Sequence, residues 1–254
     1  MMKALAITNQ KGGVGKTTTA VNLAACLAAE GRRVLLIDLD PQGNATTGAG
    51  ITKKEALPTV YQLLIGAATL AEVSIQTEFG FDVLPANREL AGAEVELIDL
   101  SEREYRLKNA LQAGHATYDF ILIDCPPALN MLTVNGLVAA DSVLIPMQCE
   151  YYALEGLSDL VETLRKVRAH LNSRLEIEGL LRTMYNPQST LTQQVSGELE
   201  SHFGSKVYKT IVPRNVRLAE APSYGKPVIA FDKSSKGAQA YSALAKEILE
   251  RVAK

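Results

Sequence analysis

Ala4-Leu5-Ala6-Ile7-Thr8-Asn9-Gln10-Lys11-Gly12-Gly13-Val14-Gly15-Lys16-Thr17-Thr18 passes from an apolar run through a glycine-rich turn into a helical pattern that continues to Glu30. Strand, turn and helix start together make a phosphate site. Glycines let the backbone turn tightly and bring its N–H groups close to phosphate oxygens. The helix N-terminus adds partial positive charge. Gly12, Gly13, Val14, Gly15 and Thr18 form the cradle, Lys16 reaches the β/γ-phosphates, and the Thr17 hydroxyl is placed for Mg²⁺. The common pattern G-x-x-x-x-G-K-[ST] is not met. Gln10 stands where its first glycine belongs, and a second lysine, Lys11, precedes Gly12-Gly13. A glycine-rich turn with a chance GKT is the bland alternative, and the downstream strands argue against it.

The first of these, Val34-Leu35-Leu36-Ile37, follows Gly31, a plausible helix C-cap, and runs into Asp38-Leu39-Asp40-Pro41-Gln42-Gly43-Asn44. In open α/β sheets the carboxyl ends of strands face the ligand crevice, so Asp38 and Asp40 arrive at the edge that carries the phosphate loop. Alternation puts both on one side of an extended segment. One can orient an attacking water and the other hold a metal-bound water; a pair of turn caps is the alternative. A second apolar strand, Tyr118 to Asp124, ends in a carboxylate before Cys125-Pro126-Pro127. This is the Walker B arrangement, with Asp124 aimed at the water shell of Mg²⁺.

Further strands are expected at Phe81–Pro85, Ser142–Met147, Glu178–Met184 and Lys206–Val212, with helices at Leu154–Leu171, Leu191–His202 and Gly237–Val252. The alternation predicts an α/β fold: a doubly wound, mostly parallel sheet with helices on both faces. No repeat, low-complexity tract or linker interrupts residues 1–254, so a single domain is expected. Thr46, Thr47, Gly48 and Gly50 suggest a mobile loop, with short helices at 60–65 and 70–75. Glu94 to Ala113 reads as a helix broken near Ser101, where Ser101 and Glu104 match a capping box. The charges between 102 and 108 read as a solvated face. Glu150 and Tyr151 fall at the ligand edge, where packing or capping is as good a reading as nucleotide or dimer contact. The terminal helix repeats Tyr241, Leu244, Ala245, Ile248, Leu249 and Val252, a face docked on the core. It lacks the basic amphipathic character of a membrane-surface helix.

Hydrophobic residues make up 47% of the 254, enough for a large core. The net charge of −2 excludes nucleic-acid binding through overall charge, so any such binding needs a local patch. Between Gly204 and Lys236 stand Lys206, Lys209, Arg214, Arg217, Lys226, Lys233 and Lys236 against Glu220 and Asp232. Two readings stay open: a solvated surface, or a patch for DNA phosphates that dimerisation would double. Cys26, Cys125 and Cys149 form no CxxC pair and read as buried thiols in a reducing cytoplasm. His115, His170 and His202 have no metal spacing. No leader precedes the first strand, and no apolar run approaches the roughly 18 residues of a membrane span.

The motif Lys11-Gly12-Gly13-Val14-Gly15-Lys16-Thr17 resembles the deviant Walker A motif K-G-G-x-G-K-[ST] of the ParA/MinD/nitrogenase-iron-protein class of ATPases. Ile7 to Gly13, Asp38 to Asn44, Leu122 to Pro127, Cys149 to Gly156 and Val212 to Pro222 are similar to the short ParA proteins called Soj, which act in bacterial chromosome partitioning. The likeness covers nearly the whole chain. It implies ATP and Mg²⁺ as cofactors and a homodimer on ATP binding, with Lys11 crossing to the partner's nucleotide. It also implies a water-orienting role for Asp40, adenine contacts from Pro213 and Asn215, and non-specific double-stranded DNA binding, with Arg217 first among Lys206, Lys209 and Arg214. A ParB-like partner would stimulate hydrolysis, and the protein would be cytoplasmic and associated with the nucleoid. A MinD-like membrane switch and a metabolic ATP-dependent enzyme of the same class are the other functions the resemblance admits. One departure stands out. Soj-type proteins often carry an arginine in the loop after the Met184 strand, and here Tyr185 to Thr190 holds no positive charge. With the first strand beginning near Lys3, the helix-turn-helix extension of the larger plasmid ParA proteins is not expected here.

Overall fold

In the computed structural model, which describes residues 2–114 and 118–253, eight strands form one sheet in the order β3-β4-β2-β5-β1-β6-β7-β8. The strands are β1 (Lys3–Ile7), β2 (Val34–Asp38), β3 (Ile75–Gln76), β4 (Asp82–Leu84), β5 (Phe120–Asp124), β6 (Ser142–Gln148), β7 (Glu176–Tyr185) and β8 (Val207–Pro213). All pair in parallel except the short edge strand β3, which runs antiparallel to β4. β1, β2 and β5 are almost wholly buried and apolar, as strands covered on both faces must be. The doubly wound fold predicted from the alternation is the fold observed.

Two apolar layers cover the sheet. One holds α1 (Lys16–Ala29), α2 (Asn44–Gly48), α10 (Val216–Glu220), α11 (Val228–Phe231) and α12 (Lys236–Val252). The other holds α3 (Val60–Ile65), α4 (Leu70–Val73), α5 (Leu90–Glu96), α6 (Arg106–Ala113), α7 (Met131–Ala139), α8 (Ala153–His170) and α9 (Thr190–Phe203). From central β1 the chain leaves through α1 on one face, while β5 reaches β6 through α7 on the other. The crevice therefore opens at the carboxyl ends of β1, β2 and β5.

Several local expectations are corrected. The mobile loop expected at 46–50 begins as α2, because Gly43 turns the chain at φ 63° and Asp38 grips Thr46. The helix expected to run to Ile75 stops at Val73, and Ile75 enters β3. The Ser101–Glu104 capping box does not form. The helix starts only at Arg106, and Glu104 accepts from Arg103 Nε instead. Capping boxes occur at Thr59–Gln62 and Thr69–Glu72. The 213–222 segment that follows the last strand contains α10. In α12, Tyr241, Leu244, Ala245 and Ile248 are buried as expected, but Val252 is 43% exposed. The three cysteines are free and buried. Among the described residues no group of metal-ligating side chains gathers, and no helix is long and apolar enough to cross a membrane. His115 lies outside the described residues.

Candidate functional site

The loop after β1 is held in shape before any ligand arrives. The Asn9 amide donates to the Pro146 carbonyl (2.9 Å), and its Oδ1 accepts from Lys11 N (3.0 Å). Gly13 and Gly15 sit at φ 73° and 91°, conformations that favour glycine. Thr183 on β7 donates its hydroxyl to the Val14 carbonyl at 2.8 Å, tying the loop to a strand 169 residues away. α1 begins at Lys16 with no side-chain cap and no acidic residue in its first turn. Its first N–H groups are therefore left for an anion. Lys16 is 8% exposed and donates to the Lys11 carbonyl (3.1 Å). Burial lowers its pKa, against the opposing pull of Asp124, Cys125 and Asp40.

Asp38 and Asp124 are register neighbours on β2 and β5, and both are fully buried. Asp38 is fully engaged by the protein. Its Oδ1 accepts from Asp40 N (3.1 Å), and its Oδ2 accepts from Thr46 N (2.8 Å) and Thr46 Oγ1 (2.7 Å). Burial nevertheless pushes its pKa up to about 6. Of the two sequence candidates at this strand end, Asp38 thus braces α2, and Asp40 is the one left partly exposed, capping Gln42 N at 2.9 Å.

Among the described residues neither carboxylate oxygen of Asp124 has a hydrogen-bond partner. Burial raises its pKa well above the usual range, Asp38 raises it further, and Thr17 and Lys16 pull it down. An unpartnered buried carboxylate is costly, and a hydrated cation is the natural remedy. Asp124 and Thr17 therefore fit Mg²⁺ with its water shell. At the far end of the same edge, Asn215 stands at the N-cap position of α10 without bonding the helix, and its buried Oδ1 also lacks a partner among the described residues. That acceptor suits the amino group of a base. Pro213 closes β8 opposite Tyr185.

Lys11 does not fold into its own cradle. Its Nζ pairs with Glu150 Oε2 at 2.6 Å, in the loop after β6. The sequence reading left Glu150 between packing or capping and a nucleotide or dimer contact; within the chain the structure gives it an ion pair with Lys11. At the same edge of the sheet, Leu129, Tyr151, Tyr152, Leu191 and Val216 are each 42–74% exposed, in the segments that follow β5, β6, β7 and β8.

The basic segment does not gather into one cluster. Arg217 lies between two carboxylates, Glu220 (2.8 Å) and Asp232 (3.2 Å). Arg214 is exposed near it, at the ligand edge. Lys209 is exposed midway along β8. Lys206 precedes β8 at the opposite end from Pro213, about 20 Å away at strand rise. Asn9, Thr46 and Thr183 were missed by sequence reading, since each acts through a contact between distant segments.

The family described as an AAA domain matches residues 2–177. The sporulation initiation inhibitor protein Soj of Bacillus subtilis is 57% identical over 249 residues, covering 98% of this chain and 98% of that protein. The chromosome partitioning protein ParA of Caulobacter vibrioides is 52% identical, covering 98% and 95%. Among solved structures, that of a Mycobacterium smegmatis protein described as cobyrinic acid a,c-diamide synthase, with bound ADP and magnesium, superposes with a TM-score of 0.87 at 37% identity. It covers 100% of this chain and 96% of that one.

Proposed function

This chain belongs to the ParA/Soj family of chromosome-partitioning ATPases, and on that premise we propose that it is a nucleotide-driven switch that ATP closes into a homodimer on DNA. ATP is the substrate and Mg²⁺ the cofactor. The loop N–H groups and Lys16 would bind the phosphates, the Thr17 hydroxyl would hold Mg²⁺ and Asp124 a water of its shell, and Asn215 with Pro213 would receive adenine. Mg²⁺ supplies charge neutralisation on the phosphate oxygens. Asp40 orients the water that attacks the γ-phosphorus, while Lys16 and the partner's Lys11 stabilise the developing charge.

The observation that carries the dimer is the placement of Lys11. It stands outside its own cradle and pairs with an exposed glutamate, on an edge whose loops also carry exposed apolar side chains. Exposed apolar surfaces of this kind mark places that meet a partner. A second copy would cover them and draw Lys11 across to its nucleotide. Closure would set two copies of Arg214 and Arg217 on one surface, which would bind DNA phosphates without reading sequence. A DNA-bound ParB-like partner would hasten hydrolysis, open the dimer and release it from the nucleoid.

The test combines light scattering with a DNA shift assay, each with no nucleotide, ADP and ATP, across a salt series. A doubling of mass and a salt-sensitive shift that both require ATP are expected. DNA binding indifferent to nucleotide would overturn the switch.

A further inference from the structure

Asp40 sits in a turn that closes on itself. Its main-chain carbonyl accepts from Gly43 N at 2.8 Å, and its side-chain Oδ1 accepts from Gln42 N at 2.9 Å. Aspartate first, proline second and glycine fourth suit such a turn. Oδ1 is thereby occupied, while Oδ2 takes no hydrogen bond from the described residues. The direction of Oδ2 therefore depends on how the whole turn is held.

Most of its bonds are local. Asp38 Oδ1 holds Asp40 N, and the Gly43 carbonyl receives Thr47 N and Oγ1. Among the described residues, one hydrogen bond reaches residues 40–43 from outside the 38–47 stretch: the Lys53 ammonium donates to the Gln42 carbonyl at 2.7 Å. That carbonyl shares its peptide plane with Gly43 N, which closes the turn, so the plane is held at both ends. The Lys53 stem lies on the same spot. A Cβ at Gly43 would stand 2.5 Å from both Lys53 Cδ and the Ala86 carbonyl oxygen, so the turn is clamped between them.

Lys53 has a firm base. It is half-buried, and no carboxylate pairs with it among the described residues. Its segment is fastened to α2, since Ile51 N donates to the Thr46 carbonyl (3.1 Å) and Gly50 N to the Thr47 carbonyl (3.0 Å). Among the described residues, Lys16 and Lys53 are the lysines that give their ammonium to a main-chain carbonyl. Both carbonyls, of Lys11 and Gln42, belong to loops that flank the candidate site. A lysine serving only solubility would leave its ammonium in water.

Resting on the reading that Asp40 orients the attacking water, we propose that Lys53 is a positioning residue for hydrolysis, which holds the Asp40 turn through the Gln42 carbonyl and so aims Asp40 Oδ2. Its loss should slow the chemical step and leave ATP binding alone, because the phosphate cradle and Lys16 are untouched. A misplacement of about 1 Å can cost about 100-fold in rate. With the turn's internal bonds intact, a loss of about tenfold is expected.

The experiment compares the native chain, Lys53→Met, Lys53→Arg and Asp40→Ala in single-turnover hydrolysis of ATP with Mg²⁺. Calorimetric titration gives the ATP affinity of each, and thermal unfolding verifies its fold. Lys53→Met keeps a stem to pack on Gly43 and removes the ammonium. It should hydrolyse ATP about tenfold more slowly, with an ATP affinity within about twofold of native. Lys53→Arg keeps a cationic donor for a single carbonyl and should restore the rate to within about threefold of native. Amide hydrogen exchange at Gln42 and Gly43 should quicken in Lys53→Met and stay native in α1. A native rate in Lys53→Met, a loss of ATP affinity, a rate that Lys53→Arg does not restore, or native exchange at Gln42 and Gly43 overturns the inference. Asp40→Ala separates the two readings. If it is slow while Lys53→Met is native, the inference about Lys53 falls alone; if it hydrolyses ATP at the native rate, the role of Asp40 falls and this inference with it.

Discussion

The ligand edge of the sheet and the outer strand β8 are organised in contrasting ways. At the ligand edge, side chains from separate strands brace one another. Thr183 holds Val14, Asn9 holds both Pro146 and Lys11, and Asp38 holds Thr46. The acceptors left over, on Asp124 and Asn215, are buried and unpartnered. Along β8 and just beyond it the cations are exposed and either alone, as Lys206 and Lys209 are among the described residues, or paired at the surface, as Arg217 in α10 is with Glu220 and Asp232. One region is preorganised for a ligand of fixed shape, and its unmet acceptors become favourable only when that ligand arrives. The other offers charge without fixed geometry, which suits a polyanion that needs no particular register. Substitutions should therefore have large, specific effects in the first region and small, salt-dependent ones in the second.

The largest effect is expected from Lys16→Ala. Removing two charge-assisted bonds to phosphate, each about 1.5–3 kcal/mol, should weaken ATP binding by about 100-fold or more. Calorimetric titration with ATP and with ADP measures this. Near-native affinity would mean that Lys16 is a core lysine bonded to the Lys11 carbonyl and nothing more. Next comes Asp40→Ala, which should keep ATP binding and lower turnover by about 100-fold or more, the range for loss of a group that assists proton transfer or orients water. Single-turnover hydrolysis gives the rate, and a persistent dimer in ATP is the accompanying sign. The same change at Asp38 should act by a different route. It removes two hydrogen bonds that hold α2 through Thr46 and a third that holds Asp40, and so should lower the unfolding temperature as well as activity.

These carboxylates also show what is legible in the chain and what is not. Asp124 and Lys16 are readable because a parallel sheet delivers every strand's carboxyl end to one edge, whatever their separation along the chain. The roles of Asp38 and Asp40 are not separable from sequence, since alternation puts them on one side and says nothing of what meets them. Thr46 decides the matter: it binds Asp38 and turns an expected loop into α2, overriding the weak helix propensity of Thr and Gly. The Thr183 strap spans 169 residues and leaves no periodic trace. The basic segment misleads in the opposite sense. Its cations are close in the chain, but β8 is extended and separates them in space.

Glu150→Gln has a smaller expected effect, and its direction carries the information. The Lys11–Glu150 pair is about half exposed, so it stabilises the open chain by less than about 1 kcal/mol. If the pair holds Lys11 back, its loss should favour ATP-dependent dimerisation by about two- to fivefold, measured as mass against ATP concentration. If Glu150 instead contacts the partner in the dimer, the same substitution weakens closure.

The smallest effects test the contrast at its loose end. Arg217→Ala should weaken DNA binding alike across sequences and reduce the salt slope by about one for each phosphate left without its cation. Its guanidinium must first leave Glu220 and Asp232, which limits the loss of affinity. Lys206→Ala should leave DNA affinity and slope nearly unchanged, because that lysine lies at the far end of β8 from Arg214 and Arg217. Equal losses of DNA affinity from Lys206 and Arg217 would mean that DNA follows the whole length of β8, with the strand itself as the binding surface. A loss confined to Arg217 would place the DNA surface at the ligand edge, where nucleotide state can control it.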